Sequence, residues 1–275
     1  MQNILINTSQ CRRRTSSIEF GVHLAAKVGA AVTGTYVHPS LVQAIPRFSS
    51  PDLVSTVLAH AEAAAADGRR FGDAFVEWAR SAGVENAAWH VAEAYLTNAM
   101  ADIGLWHDLF VLGHDADFPW GTASDIASLI FAAALPAVVV PAQAVDRVTL
   151  DCIAFAWNGS PEATRALCAA LPLLKRASRV LVLVGEQRGS ASAIDWKPAF
   201  DLGGFLRRHG IGFESRDFSA DSDTAGARLL DECTAMNADM LVMGMYGRGR
   251  FSEWILGGAT RHILRHAPLP VLLCH

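Results

Sequence analysis

Short apolar runs alternate with helical stretches along the whole chain, and the alternation passes through the same order twice. Repetition of this kind leaves few folds open. A strand followed by a helix and a second strand returns parallel to the first, and helices then cover both faces of the sheet. In the first half, 4–6 is a strand, and Ser16-Ser-Ile-Glu19 fits a capping box with Ser16 as N-cap. The helix it opens runs to about Val28 and closes at Gly29. Further strands are expected at 31–37, 87–92, 108–113 and 137–140, with helices at 52–80, 95–103 and 122–133. Residues 41–50 read as loop, and the Ala-rich helix tolerates Gly68 and Gly72 at some cost.

The second half repeats the plan. Strands are expected at 151–156, 179–184, 213–218, 240–243 and 271–274. Ser160 as N-cap and Pro161 at the first helical position open one helix. Others fall at 199–209, ending at Gly210, at 224–236 and at 259–265. The chain is therefore an internal duplication, with 141–146 as the linker between domains at 1–143 and 148–275. In each domain, ligands belong at the carboxyl ends of the strands.

Composition narrows the partners. Apolar residues make up 51% and charged residues 18%, enough to bury a core. A net charge of -4 gives no electrostatic reason to expect nucleic acid. The longest apolar run, 126–140, is broken by Ser128 and Pro136 and falls short of the ~20 residues a bilayer span needs, so no membrane partner is expected. The amino end has no basic start or hydrophobic leader pattern. Cys11, Cys152, Cys168, Cys233 and Cys274 form no C-x-x-C pair, the pattern of reduced thiols in a cytoplasmic protein.

The stretch from Ala238 to His275 reads as strand, glycine-rich loop, helix, strand. Gly244, Gly247 and Gly249 follow the strand, with Arg248 and Arg250 among them, and Gly257-Gly258 opens the helix. Bare backbone N–H groups at a helix N-terminus favour an anion, above all phosphate. No G-x-x-x-x-G-K-[ST] or G-x-G-x-x-G occurs, so the loop is neither a P-loop nor a dinucleotide fingerprint. The spacing Gly244, two residues, Gly247, nine residues, Gly257 resembles the G-2x-G-9x-G-[ST] signature of the universal stress protein family. The flanks, Asp239-Met-Leu-Val-Met-Gly and Leu264-Arg-His-Ala-Pro-Leu-Pro-Val-Leu-Leu, resemble it too. One position departs: Gly258 stands where the family has Ser or Thr, a phosphate contact in its nucleotide-binding members.

The resemblance covers nearly the whole chain, as a tandem member of that family. It implies two α/β, doubly wound domains, each with an open five-stranded parallel sheet of the Rossmann-like, adenine nucleotide alpha hydrolase-like kind. It also implies a pseudo-twofold packing of one domain on the other, a pseudo-dimer within one chain, with a homodimer as a further option. In nucleotide-binding relatives an Asp at the end of strand one meets the adenosine and the glycine motif holds ribose and phosphates. The Asp position corresponds to Asn158 in the second half and Ser9 in the first. After Gly113 the first half has His114, Asp115 and Ala116, and its last-glycine position falls near Ala123-Ser124; Asp115 would repel a phosphate. The resemblance thus implies ATP or AMP as ligand, with no metal beyond a nucleotide-associated Mg. The cleft would be built in the second domain from Ala156, Asn158, Met243, Gly244, Gly247, Arg248, Gly257, Gly258 and Ala259.

Other residues carry weaker signals. His262 and His266 have a metal-compatible i, i+4 spacing, but no third ligand is in register and a helix C-terminus favours His by itself. Trp106, Trp120, Trp157, Trp196 and Trp254 form no stacking ladder and are expected in core or interface. Asp52, Glu62 and Asp73 lie on a surface helix and make no catalytic pair, and no G-x-S-x-G occurs. Two functions remain: a stress-response protein binding adenine nucleotide in its second domain, with at most very slow hydrolysis, or a nucleotide-independent one acting through dimerisation and an unknown protein partner. An enzyme on the same scaffold is a more distant option.

Overall fold

The computed structural model describes residues 1–8, 14–38, 48–114, 122–142, 148–185, 200–219, 224–245, 247–248 and 255–275, with backbone alone at 247, 248, 255 and 256. It divides into two units, Met1–Arg147 and Val148–His275.

In the first unit, β1 (Asn3–Thr8), α1 (Ser16–Val28), β2 (Ala31–His38), α2 (Pro51–Ser81) and β3 (Ala87–Glu93) follow one another. α3 (Leu96–Gly104), β4 (Leu109–His114), α4 (Ala123–Ala133) and β5 (Ala137–Pro141) complete it. Its strands lie parallel in the order β3-β2-β1-β4-β5. The second unit contains β6 (Cys152–Trp157), α5 (Pro161–Leu174), β7 (Arg179–Val184), α6 (Leu202–Arg208), β8 (Glu214–Asp217), α7 (Ala225–Ala235) and β9 (Met240–Gly244). α8 (Gly258–His266) and β12 (Val271–Cys274) close it, in the parallel order β12-β9-β6-β7-β8. Strands β1, β4, β5, β6, β9 and β12 are almost wholly buried, as near-continuous apolar runs covered on both faces should be.

Local chemistry explains most boundaries. Ser160 accepts the N–H of Ala163 and Pro161 opens α5, as the sequence indicates. Gly29 ends α1 in the left-handed region, with φ 71°. The start of α1 differs by one residue: Thr15, not Ser16, is the N-cap and accepts from Ile18 N at 3.5 Å. α6 begins later than expected, because the Asp201 side chain caps it. The cost of Gly72 in α2 has a reason, since a Cβ there would collide with the Trp89 ring beneath the helix. The core reading of Trp106 is corrected: its side chain is 77% exposed. Residues 41–47 of the expected loop at 41–50, residues 143–146 of the expected linker at 141–146, Cys11, Trp120, Trp196 and Trp254 lie outside the described residues. Among the described residues no helix is long and apolar enough to cross a membrane.

Both units tie their central strand pair with the same device. Asp108 accepts the N–H groups of Gln2 (2.6 Å) and Asn3 (3.0 Å), and its own N–H returns to Asn3 O. The Gln2 bond above all holds this carboxyl below its ordinary pKa, against a smaller opposing effect of burial. Asp239 does the same for β6, accepting Asp151 N and Cys152 N (2.8 Å each) and the Thr149 hydroxyl (2.7 Å). We expect Asp239→Ala to lower the unfolding free energy by about 2–3 kcal/mol, the loss of charge-assisted bonds. Urea unfolding measures it, and an unchanged midpoint would mean the carboxylate holds nothing.

Candidate functional site

The candidate site begins where the second unit changes direction. From β6 the chain builds outward through β7 and β8, then crosses back to place β9 on the other side of β6. Such a reversal leaves a crevice at the carboxyl ends of the two strands. Ala156 and Met243 are register partners across it, so the structure brings together two of the expected residues from distant parts of the sequence. Asn158 follows directly, half-buried, with Oδ1 accepting Ser160 N at 3.1 Å. The oxygen expected to face a ligand therefore already has a local partner, which fixes the turn into α5 through Gly159 (φ 72°).

Gly244 ends β9 against the first turn of α5. A Cβ there would stand 2.6 Å from Ala163 N and 2.7 Å from the Glu162 carbonyl carbon. Both are backbone atoms of a capped helix, so neither can give way. The need for glycine at 244 is thus met by the protein itself, before any ligand approaches. Met245 follows fully buried, and its N–H donates to Cys274 O at 2.7 Å.

Beyond it the loop folds back as a small antiparallel ladder, β10 (Gly247–Arg248) with β11 (Ile255–Leu256), which the sequence did not disclose. The pairing sets Gly247 opposite Leu256 and so returns the chain to Gly257. Gly257 is the N-cap of α8, at φ -59° and ψ 149°, and gives no side-chain cap. Gly258 is exposed and Ala259 half-buried. The leading N–H groups of α8 thus meet no capping side chain and no acidic residue in the first turn, while Arg265 and His266 occupy the last. The Arg248 side chain, Gly249 and Arg250 lie outside the described residues.

The equivalent helix of the first unit is closed. Thr122 caps α4 in a complete capping box, accepting Asp125 N at 3.2 Å while Asp125 Oδ2 accepts Thr122 N at 3.3 Å. A carboxylate thus occupies the position an anion would need. Ser9, Asp115 and Ala116, compared with the second half above, lie outside the described residues.

Some neighbours escape a reading by spacing. Glu162, second in α5, has a buried Oε2 without a hydrogen-bond partner among the described residues, and Arg165 stands 3.8 Å from its other oxygen. Thr260 places a hydroxyl in the first turn of α8 and is 2% exposed. Burial, and then the Arg165 charge, lower the pKa of His275, while burial raises that of the Cys274 thiol. The rings of His262 and His266 lie 4.5 Å apart. Among the described residues no group of three His, Cys, Asp or Glu could hold a metal ion.

Two doubly wound α/β units, each with its crevice at a strand reversal, define the class of the protein. Residues 151–275, the second unit, match the universal stress protein family. The whole chain resembles a universal stress protein from Archaeoglobus fulgidus DSM 4304, with 16% identity over 99% of this chain and 95% of that one, at a TM-score of 0.69. A putative universal stress protein from Pseudomonas aeruginosa UCBPP-PA14 gives 13% identity over 100% and 93%, at 0.60. These likenesses show the fold. A shorter universal stress protein from Archaeoglobus fulgidus, in complex with dAMP, matches 50% of this chain and 97% of its own at 12% identity and a TM-score of 0.35. No curated protein matches this sequence.

Gly244→Ala should destabilise the protein by about 1–3 kcal/mol with no nucleotide present, as overpacking against fixed backbone does. Thermal unfolding measures it, and an unchanged melting temperature would return the role of Gly244 to a ligand.

Proposed function

We propose that the protein is a stress-response regulator that binds one adenine nucleotide, ATP or AMP, in its second unit. The observation that carries this reading is the contrast between two equivalent helices. α8 starts at a bare glycine, with no side-chain cap and no first-turn acid, whereas α4 starts in a capping box with Asp125. An anion gains from the first arrangement and is repelled by the second. In this reading Gly257, Gly258 and Ala259 offer backbone N–H groups to phosphate, and Gly247 lets the loop lie close to it. Arg248 adds charge, and Ala156, Asn158 and Met243 line the nucleoside side. Adenine itself is supported by the resemblance of the glycine spacing, not by a contact. Turnover is not part of the proposal, because no Walker-type lysine and no general base belong to the motif.

A second reading, partner binding without nucleotide, is favoured by Leu105 and Trp106, adjacent and 75% and 77% exposed. Calorimetry with ATP separates the two. The expected result is one site per chain, weakened roughly ten-fold or more by Gly247→Val. Two equivalent sites, or binding unchanged by the substitution, would contradict the placement, and no binding by the wild type would leave the partner reading.

A further inference from the structure

A second cleft, of about 650 Å³, lies in the first unit between α2 and the outer side of β3. Its size is that of a small-molecule site. Trp89 forms one wall and is held rigidly: Nε1 donates to Gly68 O at 2.9 Å, and Phe71 and Phe75 lie 5.1 Å away, centroid to centroid. Arg69 and Asp73 line the cleft from α2, one turn apart, and among the described residues neither forms an ion pair. His38 lines it from the end of β2 and is 6% exposed, so what remains exposed of it faces the cleft. Among the described residues its ring nitrogens have no hydrogen-bond partner.

The strand edge adds main-chain groups. Bonds from Val32 N to Asn86 O and from Ala94 N to His38 O bracket the β2–β3 ladder. In a parallel ladder, alternate residues face the neighbour, so the even-numbered residues of β3 point to β2. Trp89 and Val91 therefore turn their main-chain N–H and C=O groups outward, and both line the cleft.

The cleft thus offers the Arg69 guanidinium, the Asp73 carboxylate one helical turn away, a second carboxylate from Glu93 at its margin, the imidazoles of His90 and the almost buried His38, and a row of peptide groups. A ligand of one sign would meet a repelling group at one end. We propose that this cleft binds a small zwitterion, a free amino acid or dipeptide, with its carboxylate on Arg69 and its ammonium on Asp73. A fork of N–H donors suits a carboxylate, and about 5–6 Å between positions one turn apart suits the two ends of such a molecule. The edge groups of β3 and the His38 ring serve the intervening polar atoms. None of this depends on nucleotide binding, which concerns the other unit.

The test is calorimetry of the full chain against the twenty L-amino acids and a set of glycyl dipeptides. At least one should bind saturably with a Kd under about 10 mM, and Arg69→Gln and Asp73→Asn should each weaken it about ten-fold or more. Both substitutions lie on the exposed side of α2, and circular dichroism checks that the fold persists. Glu62→Gln, on the same helix outside the cleft, should leave binding unchanged. No binding by any compound, or binding that survives either cleft substitution, overturns the proposal.

Discussion

A strand reached by a crossover must be held against a partner far away in sequence, and in the second unit β9 is held against β6 at both of its ends. At its start Asp239 accepts three hydrogen bonds from Thr149, Asp151 and Cys152. At its finish Gly244 lets the chain lie directly on the first turn of α5, where a side chain would strike backbone. Between these points the strand is apolar and buried. The crevice at the strand reversal exists because these two contacts bring Ala156 level with Met243. The glycine that a ligand-centred reading assigns to phosphate is first a packing residue, and its substitution would report on folding before it reported on binding.

The two units share this frame and differ in their helix starts. Asp108 and Asp239 do equivalent work in the two units. α4 and α8 do not. One spends its first-turn donors on Thr122 and Asp125, and the other begins at Gly257 with no side-chain cap. A capping box stabilises its helix by itself, whereas an uncapped end gains most when an anion arrives. The two units thus share an architecture and differ in how the helices at the carboxyl ends of their sheets begin.

Much of the fold was legible because periodicity and punctuation agreed. Buried runs such as 109–112 and 240–243 cannot serve as exposed helix, and Gly29, Ser160 and Pro161 mark helix ends by their backbone chemistry. Errors fell where neighbouring residues can play the same part: Thr15 and Ser16 both cap well, and the chain used the first. Of the core or interface positions expected for the tryptophans, Trp106 does not take the core one, because composition cannot say which side of a short turn faces solvent. The glycine spacing singled out the loop that leads from β9 to α8. The reason for Gly244, the orphaned oxygen of Glu162 and the β10–β11 ladder all depend on tertiary approach, which no local spacing encodes. The α2–β3 cleft was invisible for the same reason, since Arg69 and Asp73 read as an ordinary solvated helix face until Trp89 is seen beneath it.

Hydrogen exchange of the full chain with and without saturating ATP, read peptide by peptide, tests most directly that the open start of α8 is the anion site. The account predicts slowed exchange in peptides covering 156–160 and 244–260, and none in those covering 109–114 and 122–126. Equal protection in both units, or no protection at 257–260, would contradict it.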